Sequence, residues 1–554
     1  MEKMDKHYKK ETKADKKSKL PLIIVAVVVI LAASLLITSQ KTYIGGVSDS
    51  AKAYTVDDKG QVTFAMELPR GSEVTKKSGT AKLDKTTLAR IEFDGKDYYV
   101  DPSKIVKGKG NLVQEKEVFV RTPVTVYKNE DGPEIASYMA KGSKMKVLDY
   151  DKMQDDGDIH KYKVAYKDSA GESGEGYVYG KYVEGTQEEA DEVYNFHNEY
   201  TIAQGAKYGF ELYGGLATNL DYFPYEKTRI KGKKFCKNAK TMYINTYGAV
   251  HPDAYLELLK QTKCNAVCID VKDGQLTYKS EVAKEVSPYA YNEAYATPED
   301  FKKSVKQYKD AGLYTIGRIV VFNDTRYATD HPEDCIVSSS SKNWPSAYSR
   351  KVWEYNIRLA QEAVKEFGFD EIQFDYVRFP ESSYGISQEA GTDFRNKYGE
   401  EKAQAVQNFC FYAADQLREV DAYISVDVFG ESSYGYVTAY GQYWPAISNI
   451  VDAISAMPYT DHMGGDNAWR YPYDTVYNWA KGAASQQFVS NPAAARTWIT
   501  GYDTPYWGVQ YDYGEKELSD QIRGLTDAGL KGGFIPWNVT SDIGKYYQYK
   551  AIWN

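Results

Sequence analysis

From Thr241 onward the sequence alternates short, nearly continuous apolar runs with amphipathic segments of helical period, and this rhythm limits the fold more than any other feature. The runs are MYINTYGAV, CNAVCIDVKDG, LYTIGRIVVFND, FDEIQFDYVRFP, AYISVDVFGES, DAISAMPYT, RTWITGYDTP and GFIPWN. Between them lie segments such as YSRKVWEYNIRLAQEAVKEFG and EKELSDQIRGLTDAGLKG, whose apolar residues recur every three or four positions. Strands that are apolar on both faces are parallel strands covered by helices on either side. Eight such units over about 300 residues predict an α/β fold of the TIM (β/α)8 type for residues 241–554 rather than an open sheet. No GxGxxG follows an early strand, which weighs against a dinucleotide-binding fold.

Several of these runs carry charge. In FDEIQFDYVRFP, strand parity puts Gln373 and Asp375 on one face and Ile372, Phe374 and Tyr376 on the other. In CIDVKDG the polar face holds Cys268, Asp270 and Lys272; in ISVDVFGES it holds Ser425, Asp427, Phe429 and Glu431; Arg318 lies inside IGRIV. A buried carboxylate without a partner costs several kcal/mol, so each must be paired, hydrated or neutralised. Arg318, Lys272 and Arg378 are the cations at hand, and an ion-pairing role is as good a reading as chemistry for any one of these residues. For all of them together, convergence on the C-terminal mouth of a barrel, where this fold places its catalytic groups, is the better reading.

Two carboxylates at such a mouth are the minimum equipment for glycoside hydrolysis, one as acid and one as nucleophile or base. Other chemistries lack their groups. Only His251, His331 and His462 occur in this region, each isolated, so no metal site is expected and no cofactor is called for. GxSxG is absent, and no Cys/His pairing marks a peptidase. The five cysteines show no CxxC spacing. Aromatic residues make up 14% of the chain, with 51 Tyr and 9 Trp, a composition suited to stacking on sugars.

The N-terminal half has a different organisation. Residues 1–19 hold 8 Lys against 4 Asp and Glu, and Leu20–Thr38 contains no charge. Nineteen helical residues rise about 28 Å, enough to cross the hydrocarbon layer. Signal-peptide cores are shorter, about 7 to 15 residues, so the expectation is an uncleaved anchor at 20–38 with a cytoplasmic basic tail and an extracellular remainder, a single-pass arrangement expected of a Gram-positive bacterium. The net charge is −8, and the tail contributes +4, which leaves −12 for the rest and argues against a nucleic-acid partner. Two alternating, turn-rich stretches, 53–108 and 113–184, predict two small all-β domains, and 185–240 is a connector.

The β stretches resemble tandem bacterial SH3-like domains, a family whose modules bind wall material or act as spacers. The strand motifs of 241–554, with SAMPYTDH and GGFIPWN, resemble a bacterial family of glycoside hydrolase-type barrel domains formerly of unknown function. That resemblance implies sugar chemistry. Asp370 and Asp375 match the spacing of an α-amylase-type fourth strand, with Gln373 in place of the usual arginine; Val377 stands where the chitinase-type strand carries its glutamate. It further implies Asp375 as nucleophile or base; on the fifth strand Asp427 stands in the place of the acid, where the amylase class carries a glutamate, and is the expected acid here, with Glu431 in reserve. Asp270, Lys272, Arg318, Arg378, Tyr459, His462, Asp503 and Trp537 are the expected substrate contacts. The expectation is a membrane-anchored hydrolase of a polysaccharide or cell-wall glycan; the alternative is a surface protein that binds carbohydrate or organises the wall without catalysis.

Overall fold

The apolar runs form parallel strands in the order the alternation demands. In the structure, a computed structural model that describes residues 41–192, 214–227, 229–341, 343–464, 467–503 and 511–554, they are β1 (Ala239–Ile244), β2 (Ala266–Asp273), β3 (Tyr314–Val320), β4 (Glu371–Asp375), β5 (Tyr423–Phe429), β6 (Ala453–Met457), β7 (Ala494–Ala495), β8 (Thr497–Thr500) and β9 (Gly533–Trp537). Their order in the sheet is β7-β6-β5-β4-β3-β2-β1-β9-β8. The two ends of that path are consecutive in sequence, separated by Arg496 alone, so the sheet is a nearly closed barrel. Nine strands stand where eight were expected, because the seventh changes partner midway: Ala494 pairs with Ala453 on β6, and Thr497 pairs with Phe534 on β9.

Arg496, at that break, is fully buried and reaches Glu371 at the start of β4, with Nη1 to Oε1 at 2.5 Å. The Tyr314 hydroxyl (2.9 Å) and the Ser425 hydroxyl (2.5 Å) donate to the same carboxylate. Two residues further along β4, Gln373 accepts from the Cys268 thiol and donates to Ser455, both at 3.0 Å. Asp375 follows after two more. Alternate residues of one strand thus fill three successive polar layers inside the barrel, the period-2 pattern that strand geometry imposes. Gly533, at φ 103, closes the barrel where a Cβ would collide with the Ala239 carbonyl.

The covering helices follow the expected period. Helix Arg350–Phe367 buries Val352, Trp353, Asn356, Leu359, Ala360, Ala363, Val364 and Phe367, a stripe at three- and four-residue spacing. It ends at Gly368, which takes the left-handed conformation (φ 72) and donates to the Val364 carbonyl.

The chain divides into two units. The first comprises residues up to Val118 together with Tyr150–His160. It holds a seven-stranded β-sheet between Thr42 and Lys107 around Ile44, Ala53, Leu68, Ile91 and Val100. The second unit holds the barrel and most of a second seven-stranded sheet, between Glu117 and Glu184. Within it, the sheet is fixed to helix Lys402–Arg418: Lys181 pairs with Asp415 (2.5 Å), and the Tyr182 hydroxyl donates to Asp415 (2.8 Å). The end of the connector packs on the barrel through Ala217, Leu220 and Tyr222 against Ala403, Val437 and Tyr443. All five cysteines are free. The apolar run Leu20–Thr38 lies outside the described residues, and among those described no helix is long and apolar enough to cross a membrane.

The Arg496–Glu371 pair generates a stability prediction. Arg496→Met alone leaves a buried carboxylate without its counter-ion and should cost about 3–5 kcal/mol, whereas Arg496→Met with Glu371→Leu should cost clearly less. Denaturant unfolding of the four members of the cycle measures the coupling.

Candidate active site

The site is assembled around one guanidinium. Arg318, on β3, sits beside Asp270 in the parallel register and next to Gln373 on β4. Its Nη1 lies 2.8 Å from Asp270 Oδ1 and its Nη2 2.6 Å from Asp375 Oδ2; its Nε is 3.8 Å from Asp427 Oδ2. The Tyr243 hydroxyl donates to Asp270 (2.5 Å), and the Trp498 indole N–H donates to Asp427 Oδ1 (2.8 Å). Asp427 Oδ2 has no hydrogen-bond partner.

The partly exposed Asp273, 3.6 Å from Nη1, is a fourth carboxylate near Arg318, and the three buried ones around that single cation cannot all hold charge cheaply. Burial raises Asp427 well above the ordinary carboxylate range, and the neighbouring charge of Asp375 raises it further. Asp270 is pushed up to about 7 by burial, against the pull of Arg318. Burial alone would make Arg318 easier to deprotonate, but the attraction of Asp270 and Asp375 outweighs it and holds the guanidinium charged. Asp427 and Asp270, the two fully buried members, are therefore the ones pushed toward protonation.

Asp375 ends β4, and the chain leaves the strand through Tyr376, a non-glycine residue in the left-handed region (φ 54). That conformation costs about 1–2 kcal/mol. It aims the Tyr376 N–H at Asp375 Oδ1 (2.6 Å) and turns the carboxylate to the wall of a cleft of about 760 Å³. The opposite contribution comes from β5. After Phe429 the chain turns into a short 3-10 segment, Gly430–Ser433, which lifts Glu431 out of the barrel interior and into the same cleft. The hydroxyls of Tyr436 and Tyr440 both donate to Glu431, each at 2.8 Å. Tyr376, Phe429, Tyr434, Tyr459, Trp498 and Trp537 supply aromatic surface.

The expected residues divide accordingly. Asp375, Arg318, Arg378, Glu431, Tyr459, His462 and Trp537 all line the cleft. Asp427 and Asp270 lie beneath it, at 0% exposure. Lys272 is turned elsewhere, to Asp324 (2.5 Å) and Asn356 (2.8 Å), because the β2–β3 register slips between Asp270 and Lys272 and the simple parity fails at that bulge. Asp503 pairs with Lys545, accepts from the Tyr513 N–H and is absent from the cleft wall. Asp370 is held by the Thr315 backbone and hydroxyl at the entrance to β4, five residues before Asp375, and does not line the cleft. His462 bonds Asp461 (2.9 Å), which raises its pKa. Tyr243, Trp498, Tyr436 and Tyr440 were not singled out by sequence; Tyr243 and Trp498 lie on barrel strands, but their only signal there was an aromatic among aromatics. Among the described residues one set, His331, Glu333 and Asp334, has potential metal-ligand atoms within 4.8 Å of one another; none lines the cleft.

Fold and site together define a barrel protein with a carboxylate-bearing aromatic cleft. Residues 241–542 match the family described as "Putative glycosyl hydrolase domain", and the chain belongs to that family. No curated protein matches the sequence. Among solved structures, a hypothetical protein from Ruminiclostridium thermocellum ATCC 27405 is 29% identical, with 34% of this chain and 97% of that one covered and a TM-score of 0.28. The PgaB (BpsB) glycoside hydrolase domain from Bordetella bronchiseptica is 11% identical over 57% of this chain and 99% of that one, with a TM-score of 0.42. A GH18 chitinase from Pseudoalteromonas aurantia is 14% identical over 57% and 98%, with a TM-score of 0.36.

The raised Asp270 carboxyl makes a pH prediction. A group that keeps its proton to about pH 7 when folded, but releases it near 3.8 when unfolded, favours the folded state at low pH and withdraws that support as pH rises between those values. Asp270→Asn should therefore flatten the fall in unfolding free energy between about pH 4 and pH 7; denaturant titrations at stepped pH read the slope.

Proposed function

We propose that this protein is a glycoside hydrolase acting on a polysaccharide or cell-wall glycan, with Asp375 as nucleophile or base and Glu431 as acid. The observation that carries this reading is that Asp375 and Glu431 both line one aromatic-walled cleft at the C-terminal ends of the barrel strands. Glycosidic cleavage needs a proton for the leaving oxygen and a carboxylate for the anomeric carbon or for the attacking water. Arg318 fixes the orientation of Asp375, and the two tyrosine hydroxyls fix that of Glu431. Asp427, which stands on the fifth strand in the acid's place, is fully buried and bonded by the Trp498 indole, and has a supporting role in this reading. The aromatic wall supplies flat surfaces for sugar rings.

Asp375→Asn and Glu431→Gln should each reduce reducing-end release from a cleaved glycan by about 10²–10⁴-fold. The two roles separate on aryl glycosides, whose leaving groups need little protonation. Glu431→Gln should recover much of its activity there and Asp375→Asn should not; full activity of both variants on the glycan would refute the assignment.

One observation favours a second reading. The 2.6 Å bond from Arg318 engages Asp375 as a structural ion pair would, in keeping with a barrel that binds carbohydrate without cleaving it. Such a protein would retain glycans on pull-down and release no reducing ends.

We further propose that Leu20–Thr38 anchors the chain in the membrane with the barrel outside the cell, supported by its uncharged length and lysine-rich flank. Deleting residues 1–38 should move the protein from the membrane to the soluble fraction on ultracentrifugation.

A further inference from the structure

The cleft contains two guanidinium groups in opposite situations. Arg318 is bonded by two buried carboxylates and forms part of the floor. Arg378, beyond the end of β4, is 4% exposed, and among the described residues its one ion-pair partner within 4 Å is an exposed glutamate. Its Nη1 donates to the adjacent Phe379 carbonyl (3.0 Å), and its Nη2 lies 3.2 Å from Glu381, whose side chain is 68% exposed. Otherwise it is surrounded by ring faces: Phe429 at 4.3 Å, Tyr376 at 4.7 Å, Trp344 at 5.5 Å and Tyr440 at 6.0 Å from the guanidinium carbon. Burial pulls its pKa down, with only partial compensation from Glu381.

A guanidinium has five N–H donors in a planar fork, and two of its bonds are accounted for here. A largely buried cation paired directly with one exposed carboxylate three residues away leaves donors available to a ligand. Its position supplies the candidate, because Arg378 lines the same cleft as Asp375 and Glu431, and His462 lines that cleft as well. The Glu381 side chain also lines the cleft and is close enough to His462 to raise its pKa, so Arg378, Glu381 and His462 form one cluster. We propose that Arg378, with His462, forms a subsite for a sugar bearing a carboxylate, and that Glu381 occupies the substrate carboxylate's place when the cleft is empty. The inference rests on the glycoside hydrolase reading of the cleft and adds the class of glycan: an acidic one, its charge carried by a uronate or by a lactyl ether. A planar carboxylate matches the fork of Arg378 in two parallel bonds, which an exposed glutamate at 3.2 Å through a single oxygen does not exploit.

The test is equilibrium binding to the full-length protein, which does not depend on turnover and so fails separately from the catalytic assignment. The probes are a hyaluronan hexasaccharide, whose acid is a uronate, and a peptide-free peptidoglycan tetrasaccharide, whose acid is a lactyl group. Each is paired with its carboxyl-reduced counterpart. At least one acidic glycan should bind about 10–100-fold more tightly than its reduced form, and which one identifies the source of the carboxylate. Arg378→Gln should abolish that discrimination, the acidic and reduced forms then binding within about 2-fold of each other. Glu381→Gln, an exposed position that tolerates change, should tighten the acidic glycan several-fold by removing its competitor, and it decides the matter should Arg378→Gln fail to fold. Equal affinity for acid and reduced forms, no binding of either acidic glycan, discrimination that survives Arg378→Gln, or an acidic-glycan affinity unaltered by Glu381→Gln would overturn the proposal.

Discussion

The Arg318 guanidinium is the interaction on which the upper barrel depends. It joins β2, through Asp270, to β4, through Asp375, and its Nε faces Asp427 on β5. Without it, three carboxylates would face one another in a space that excludes water, and the only remedy would be protonation of all of them. With it, the cluster can be part ionic and part neutral. Burial pushes Asp427 and Asp270 toward their protonated forms, while Asp375 is bonded to Arg318 at the cleft wall. One cation thus ties the buried carboxyls to the one that lines the cleft.

The lower barrel repeats the device for another purpose. Glu371 and Arg496 are both fully buried and share their bonds with Tyr314 and Ser425. The pair coincides with the point where the seventh strand changes partner. Between the two ionic layers, Gln373, Cys268 and Ser455 form a neutral hydrogen-bonded layer. The polar groups of β4 thus share the interior with an apolar cluster of Ala239, Tyr243, Ala266, Ile316, Trp498 and Ile535, and hydrogen bonds and apolar packing together fix how the strands stand against one another.

Much of this was legible in the sequence, for reasons that can be traced. Parallel strands covered on both faces leave a long apolar signature, so the barrel strands stood out, and the period of 2 in IQFD put Gln373 and Asp375 on the lumen side. The same rule failed wherever the backbone left regular geometry. A bulge after Asp270 turned Lys272 away from the mouth, and the 3-10 turn at Gly430 placed Glu431 in the cleft while Asp427, on the same nominal face, stayed below. Parity describes a strand only as far as the strand extends. The split at Arg496 was illegible for a related reason, since a change of ladder partner leaves no mark in hydrophobic pattern. Tyr436 and Tyr440 were hidden in a loop of a chain with 51 tyrosines, where composition cannot single out the two that hold Glu431.

These departures from regularity fall together at the C-terminal mouth, and a physical reason connects them. A carboxylate inside a barrel is tolerable only when it is paired or protonated. One that lines the cleft must also stand at or beyond the last residue of its strand. Asp375 is that last residue, followed at once by the left-handed turn at Tyr376, and the 3-10 turn at Gly430 carries Glu431 past the end of β5. Asp270 and Asp427, still within regular strand, remain inside and serve as the electrostatic floor. The division between supporting and exposed carboxylates is thus set by where each strand ends.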